Sequence, residues 1–196
     1  MQDLTQSATL LLIDVQQGFE DVAHWGGARN NPDAERNIAR LLEAWRGSGR
    51  PVRHVRHDSV TEGSPLRPGM PGNALKREAE PREGEAVYGK SVNSAFIGTT
   101  LEDDLRREKV DTVVIVGLTT NHCVSTTARM AANLGFDTVV VSDATATFDR
   151  AGLDGETRPA AEVHAGALSD LQGEFATILD TAAVLAAAAA RNTAAA

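Results

Sequence analysis

The sequence predicts an α/β fold built on a parallel sheet covered on both faces. Three observations carry that expectation: short runs of aliphatic and β-branched residues, helical periodicities between them, and regular alternation of the two. Thr112-Val113-Val114-Ile115-Val116 is the clearest run, almost wholly apolar, as a strand buried on both faces should be.

Taken in order, Ala8 to Ile13 reads as the first buried strand and delivers Asp14 to its carboxyl end, after which Gln16, Gln17, Gly18 and Phe19 begin a loop or short turn. Asn31-Pro32 opens a helix, with Asn31 as N-cap, Pro32 at the first position, and Asp33 and Glu35 against the dipole. Its apolar stripe is Ile38, Leu41, Leu42 and Trp45, and Gly47 or Gly49 ends it. Pro51 to His57 is a second strand. Residues 58–89 are rich in Pro and Gly without a sustained period, which suits a pocket wall or a subunit contact. Thr100 to Glu108 is a helix with Leu101 and Leu105 inward. After the central strand, Val124, Ala128, Ala131 and Leu134 recur at helical spacing until Gly135, a C-cap. Thr138 to Val141 is a further strand, closing on Ser142-Asp143-Ala144-Thr145; a helix over 159–172 and a strand from Phe175 to Leu179 complete the pattern. Residues 1–182 form one domain, and 183–196 an alanine-rich tail read as a marginal or frayed helix.

The 196 residues suit one domain, and 42% hydrophobic with 23% charged residues is ordinary for a globular chain. A net charge of -8 with no Lys/Arg run argues against nucleic acid as a partner. No apolar segment approaches the roughly 20 residues needed to span a membrane. One cysteine excludes an intramolecular disulfide framework, and Met1-Gln2-Asp3-Leu4-Thr5 carries no basic-then-apolar signal, so a reduced, cytoplasmic setting is expected. Gly117 lacks the companions of a phosphate-binding loop, and no cofactor is expected.

That cysteine, Cys123, falls where the Thr112–Val116 strand gives way to a helix. Free N–H groups and the helix dipole there favour a thiolate and lower the thiol pKa; the alternative is a buried structural thiol. Ligands of parallel sheets bind beyond the carboxyl ends of the strands. Asp14 and Cys123 lie on that edge, and Lys90 reaches it from its loop. A carboxylate near a thiol can take its proton and later hand it to a leaving nitrogen, while a lysine between them steadies both charges.

Three blocks, Leu11-Leu12-Ile13-Asp14-Val15-Gln16, Lys90-Ser91-Val92-Asn93-Ser94-Ala95-Phe96 and Gly117-Leu118-Thr119-Thr120-Asn121-His122-Cys123-Val124, resemble those of the isochorismatase-like hydrolase superfamily, in its order and at its separations. The likeness continues through Ala131-Ala132-Asn133-Leu134-Gly135-Phe136 and Ser142-Asp143-Ala144-Thr145, covering about residues 8 to 180. It implies a three-layer α/β/α fold with a central, mostly parallel six-stranded sheet. It implies a catalytic triad in which Asp14 is the general base, Lys90 the lysine and Cys123 the nucleophile. It also implies a cis peptide at Leu118–Thr119, with the N–H groups of Thr119 and Cys123 as the oxyanion hole. Members that cleave the vinyl ether of isochorismate lack the thiol, so Cys123 points to the branch that hydrolyses C–N bonds of amides, ureides or lactams through a thioester. The likeness is closest to a cysteine-hydrolase group that includes streptothricin hydrolase. Members usually form dimers or larger assemblies, and a homo-oligomer, dimer or tetramer, is expected here.

The chain departs from the nicotinamidases of the superfamily, which hold a metal with an Asp-x-His pair and a further His. Arg53-His54-Val55-Arg56-His57-Asp58-Ser59 does not reproduce that pattern, so no metal is expected; a set drawn from His54, His57, Asp58 and His24 is the alternative. His122 precedes Cys123 directly, and helix neighbours point about 100° apart, so it is expected as a pocket-lining or surface residue rather than the base, and it joins the candidates for substrate binding. Phe19, Trp25, Asn30 and Tyr88, in or beside rim loops, are the other candidates for binding a small substrate. The competing functions are a vinyl ether hydrolase using Asp14 without covalent catalysis, and a non-catalytic binding or scaffold protein on the same fold.

Overall fold

Six parallel strands form the central sheet of the computed structural model, which describes residues 4–190. In chain order the elements are β1 (Thr9–Ile13), α1 (Val22–Trp25), α2 (Ala34–Gly47), β2 (Val52–His57), β3 (Ala86–Lys90), α3 (Leu101–Arg107), β4 (Thr112–Leu118), α4 (Ser125–Asn133) and β5 (Asp137–Ala146). A short antiparallel pair, β6 (Arg150–Ala151) and β7 (Thr157–Arg158), follows, then α5 (Ala160–Leu171), β8 (Thr177–Leu179) and α6 (Thr181–Ala190). The sheet order is β3-β2-β1-β4-β5-β8, so the chain winds outward in both directions from the β1–β4 pair. That pair is the topological switch point, where loops leaving neighbouring strands diverge and open a crevice.

Alternation along the strands divides the core in two. Leu10, Leu12, Val114, Val116, Val139 and Val141 face the layer of α2 and α6, meeting Ile38, Leu41, Leu42, Trp45 and Val184. Leu11, Ile13, Val113, Ile115 and Val140 face α3, α4 and α5, meeting Leu101, Leu105, Ala128, Ala131 and Leu171. Each such side chain contributes about 1.5–3 kcal/mol when fully withdrawn from water. Trp45 closes the first layer and donates its indole N–H to the Ala8 carbonyl at 2.9 Å.

Four local expectations are corrected. Residues 86–90 are not loop but the edge strand β3; only Tyr88 and Lys90 of its five residues are buried, too little alternation to announce a strand. Lys90 is therefore the last residue of a strand. Asn31 does not cap α2: Asp33 holds the N-cap position, while Asn31, at φ +45°, donates from Nδ2 to the carbonyls of Ser142 and Thr145 at 2.9 and 2.7 Å. The helix after β4 begins with a π-helical turn over Thr120–Val124, and α4 starts behind it. Finally, the tail reading of 183–196 fails for its first part. Val184, Ala187 and Ala188 of α6 are buried beside α2, where small side chains let the two helices approach; residues 191–196 lie outside the described residues.

Candidate active site

The crevice at the switch point is built by backbone before any side chain enters it. Gly117 has φ +120°, and a Cβ there would lie 2.0 Å from the Ile13 carbonyl oxygen, so only glycine lets the ends of β1 and β4 approach this closely. The next peptide, Leu118–Thr119, is cis, and the π-helical turn over Thr120–Val124 follows at once. Together they carry Cys123 back over the end of β1. Asp14 adopts φ +51°, a left-handed conformation that strains a non-glycine residue. It is held by its N–H bond to the Val55 carbonyl (2.9 Å) and by the Gln16 N–H bond to its own carbonyl (2.8 Å).

Three strand ends supply the polar floor. Lys90 Nζ lies 2.7 Å from Asp14 Oδ2, and neither side chain is exposed. The same ammonium donates to Cys123 Sγ at 3.3 Å and to His57 Nδ1 at 3.0 Å. Asp14 Oδ1 is buried without a hydrogen-bond partner. Cys123 Sγ also approaches Asn93 Oδ1, at 3.8 Å.

The electrostatics differ from the expectation of a lowered thiol pKa. Burial pushes the Cys123 thiol up, the charge of Asp14 pushes it further, and Lys90 opposes both without reversing them. Cys123 is only 9% exposed, and this loss of solvent is the largest influence on its thiol. The resting arrangement is a neutral thiol beside a Lys-paired carboxylate. His57 and His122 both titrate below the ordinary histidine range, each chiefly through burial, with Lys90 and Arg150 respectively adding to it.

Above this floor is a cavity of about 300 Å³ lined by Asp14, Phe19, Trp25, His57, Leu66, Asn93, Thr119, His122 and Cys123. Phe19 and Trp25 pack at a tilt with ring centroids 4.6 Å apart, both stacked against Phe148, and Trp25 donates its N–H to the Gly18 carbonyl at 2.8 Å. His122 stands between Asn121 Nδ2 (3.2 Å) and Thr119 Oγ1 (3.3 Å). Since the amide N–H donates to Nε2, the Nδ1 proton is directed at Thr119.

The structure thus brings Asp14, Lys90, Cys123, Thr119, Phe19, Trp25 and His122 to one place. Two candidates do not reach it. Tyr88 points into the α3 side of the sheet and donates its hydroxyl to Asp104 at 2.9 Å, because its position in β3 faces the core rather than the rim. Asn30 is spent on the end of β5, its Oδ1 accepting the Thr147 N–H at 2.7 Å.

The alternative metal set does not assemble. His54 is fully buried against Glu85 (Nε2 to Oε2 2.9 Å), on β2 but away from His57. Among the described residues, the one group with metal-ligand spacing is Asp14, His57 and Cys123, within 4.8 Å of one another. The Lys90 ammonium already bonds to all three, which opposes a second cation there.

Leu66 and Asn93 escaped the sequence reading as pocket residues. Leu66 is carried in by the 58–85 segment, which folds back on β1 and β2 through the Lys76 N–H bond to the Val15 carbonyl (2.8 Å) and through Asn73. Asn73 Nδ2 lies 3.1 Å from the His57 carbonyl and 2.8 Å from that of Leu66. Asn93, three residues past Lys90, had its place in a family-like block as its only signal.

Residues 8–183 match the isochorismatase domain. Over 178 residues the chain is 46% identical to YrdC, an uncharacterized isochorismatase family protein of Bacillus subtilis, covering 91% of this chain and 94% of that one. It is 34% identical over 187 residues to a streptothricin hydrolase of Streptomyces noursei, covering 93% and 72%. The crystal structure of an isochorismatase-family protein from Chromobacterium violaceum superposes with a TM-score of 0.90 at 47% identity, covering 94% of each chain.

Proposed function

The chain belongs to the isochorismatase family, and on that premise we propose that it hydrolyses the C–N bond of a small, uncharged amide, ureide or lactam through a thioester on Cys123. The observation that carries this reading is the single ammonium of Lys90 bridging the Asp14 carboxylate and the Cys123 sulfur at the floor of the cavity. A carboxylate poised beside a neutral thiol is what general-base activation of a nucleophile requires.

The steps follow from that arrangement. Asp14 takes the Cys123 proton as the sulfur attacks the amide carbon, and the carbonyl oxygen acquires the charge. The N–H groups of Thr119 and Cys123 act as its donors, each lowering the barrier by about 3 kcal/mol. Asp14 then passes its proton to the nitrogen, the C–N bond breaks, and the amine or ammonia departs from a thioester. Water gives a proton to Asp14 and its oxygen to the acyl carbon. The C–S bond breaks, the acid is released, and the proton returns from Asp14 to sulfur.

The walls narrow the substrate. Phe19, Trp25 and Leu66 make one side apolar, while Asn93, His57 and His122 offer neutral polar groups on the other. Asp14, already paired with Lys90, is the one carboxylate in the lining, and no lysine or arginine lines it to pair with a substrate carboxylate. About 300 Å³ lies at the small end of ligand pockets, suited to a compact molecule with one flat apolar part.

Incubation with a panel of small neutral amides, ureides and lactams, quenched for intact mass, tests the reading. Turnover with an acyl adduct on Cys123, and loss of both in Cys123→Ala, is the expected result. Hydrolysis that survives Cys123→Ala contradicts it, and vinyl ether cleavage by Asp14 alone then becomes the better account. Self-association as a dimer or tetramer belongs to the same proposal; a monomer at micromolar concentration in sedimentation velocity would contradict that part.

A further inference from the structure

We infer that His57 is a positioning residue: its Nδ1 accepts the third proton of the Lys90 ammonium and so holds that ammonium between Asp14 and Cys123. A lysine has three N–H donors and no acceptor. Here all three have partners, Asp14 Oδ2 at 2.7 Å, His57 Nδ1 at 3.0 Å and Cys123 Sγ at 3.3 Å, on a side chain wholly withdrawn from solvent. Asp14 and Cys123 react, and each changes its charge during a cycle. His57 is the partner that need not change, which suits it to fix the ammonium while a proton moves between the other two.

The position of His57 is itself clamped. It pairs with Lys90 across β2 and β3, so the two side chains leave the sheet on the same face. Gln16 accepts the His57 N–H at 2.8 Å and donates to its carbonyl at 3.1 Å; Asn73 lies 3.1 Å from that same carbonyl. A flexible lysine is thereby referred to a histidine whose backbone is held from two other segments of the chain.

The donor direction also fixes the tautomer. An ammonium can only donate, so Nδ1 carries the lone pair and Nε2 the proton in the neutral ring. The groups facing the ring are Lys90 from β3, Asp14 just past β1 at 4.0 Å, Cys123 from the π-helical turn and Asp58 next in the chain, while His24 and Glu62 line a neighbouring cavity with it. Burial and Lys90 keep the ring neutral against the pull of the two aspartates. A proton on Nδ1 would set two donors against each other and release Lys90, so protonation of His57 should loosen the triad.

The inference rests on the proposed part of Lys90, but its test needs no substrate. Iodoacetamide alkylation of Cys123, followed by intact mass across pH, reads the thiol whichever bond the enzyme cleaves. Lys90 opposes the rise in the thiol pKa, so loosening it should raise that pKa further. His57→Phe should label about tenfold more slowly than wild type below the thiol midpoint, as expected for a shift of one pH unit. His57→Asn, whose amide oxygen can stand in for Nδ1, should restore most of the rate. In a Lys90→Met background, His57→Phe should change nothing. His57→Val replaces His57→Phe if the latter fails to fold. Unchanged labelling in the non-accepting variant, or an equal slowing with and without Lys90, would overturn the inference. Absence of turnover across an amide panel would leave it standing and count only against the proposed reaction.

Discussion

Burial, the charge of Asp14 and the charge of Lys90 act on the Cys123 thiol in that order, the first two raising its pKa and the third lowering it. A helix N-terminus alone suggests a thiolate, and the sequence around Cys123 carries that suggestion. The carboxylate and the loss of solvent that reverse it come from β1 and from the cavity walls, far away in the chain. In the proposed mechanism the proton therefore rests on sulfur and moves to Asp14 as a substrate arrives. Asp14→Asn should reduce turnover by on the order of 10³-fold, the typical contribution of a positioned base. Its amide oxygen can still accept from Lys90, so thermal unfolding should show a folded protein. Near-wild-type turnover in a folded Asp14→Asn variant would remove Asp14 from the mechanism.

At the scale of the element, the site depends on turns that carry little periodic signal. The central strands and α2 were legible because β-branched runs and a 3.6-residue stripe announce them locally. β3 was not, being a five-residue edge strand with a glycine and two inward side chains. Nor was the 58–85 segment, whose shape is set by hydrogen bonds such as those of Asn73 rather than by any repeat. The meeting of Asp14, Lys90 and Cys123 was legible through motif blocks, whereas Tyr88 and Asn30 lie away from the cavity because face and orientation are not written in the residue type. Asn31 shows the same limit: read as a cap, it ties the start of α2 to the carbonyls of Ser142 and Thr145. Asn31→Ala would lose both bonds and force alanine into a left-handed conformation, costing about 2–4 kcal/mol. Urea denaturation measures it, and a change below about 0.5 kcal/mol would contradict this role. Gly117→Ala should fail to fold or lose the crevice geometry, since its methyl group would meet the Ile13 carbonyl. A soluble, fully stable alanine variant would show that β1 and β4 can separate there at little cost.

Across the whole molecule, one ion-pair network fastens the pocket wall to the scaffold. Lys76, from the 58–85 segment, pairs with Glu20 and with Glu35 of α2 (2.6 Å to the latter), and Arg29 reaches the other oxygen of Glu35 at 2.7 Å. Burial raises the Glu35 pKa, but the hydrogen bonds and charges of Arg29 and Lys76 outweigh it and hold the carboxyl at about 2. The unfolded chain, with an ordinary carboxyl near 4.5, binds more protons between those values. Stability from this pairing is thus fully present above about pH 4.5 and lost as pH falls toward 2. Glu35→Gln should destabilise the protein by about 2–4 kcal/mol at pH 6, leaving Lys76 and Arg29 short of a partner, and by much less near pH 2. Denaturation midpoints at the two pH values measure this, and an equal loss at both would contradict it. The same variant should loosen the Leu66 wall and raise KM more than it lowers kcat.

The central claim is that Asp14 and Cys123 share one proton under the control of Lys90, and the pH dependence of Cys123 alkylation tests it most directly. With a single cysteine, intact mass after iodoacetamide treatment reports this thiol alone. The account predicts a wild-type midpoint above the ordinary thiol value of about 8.5, a lower midpoint in Asp14→Asn and a higher one in Lys90→Met. Rapid labelling of the wild type well below that value, unchanged by Asp14→Asn, would contradict it.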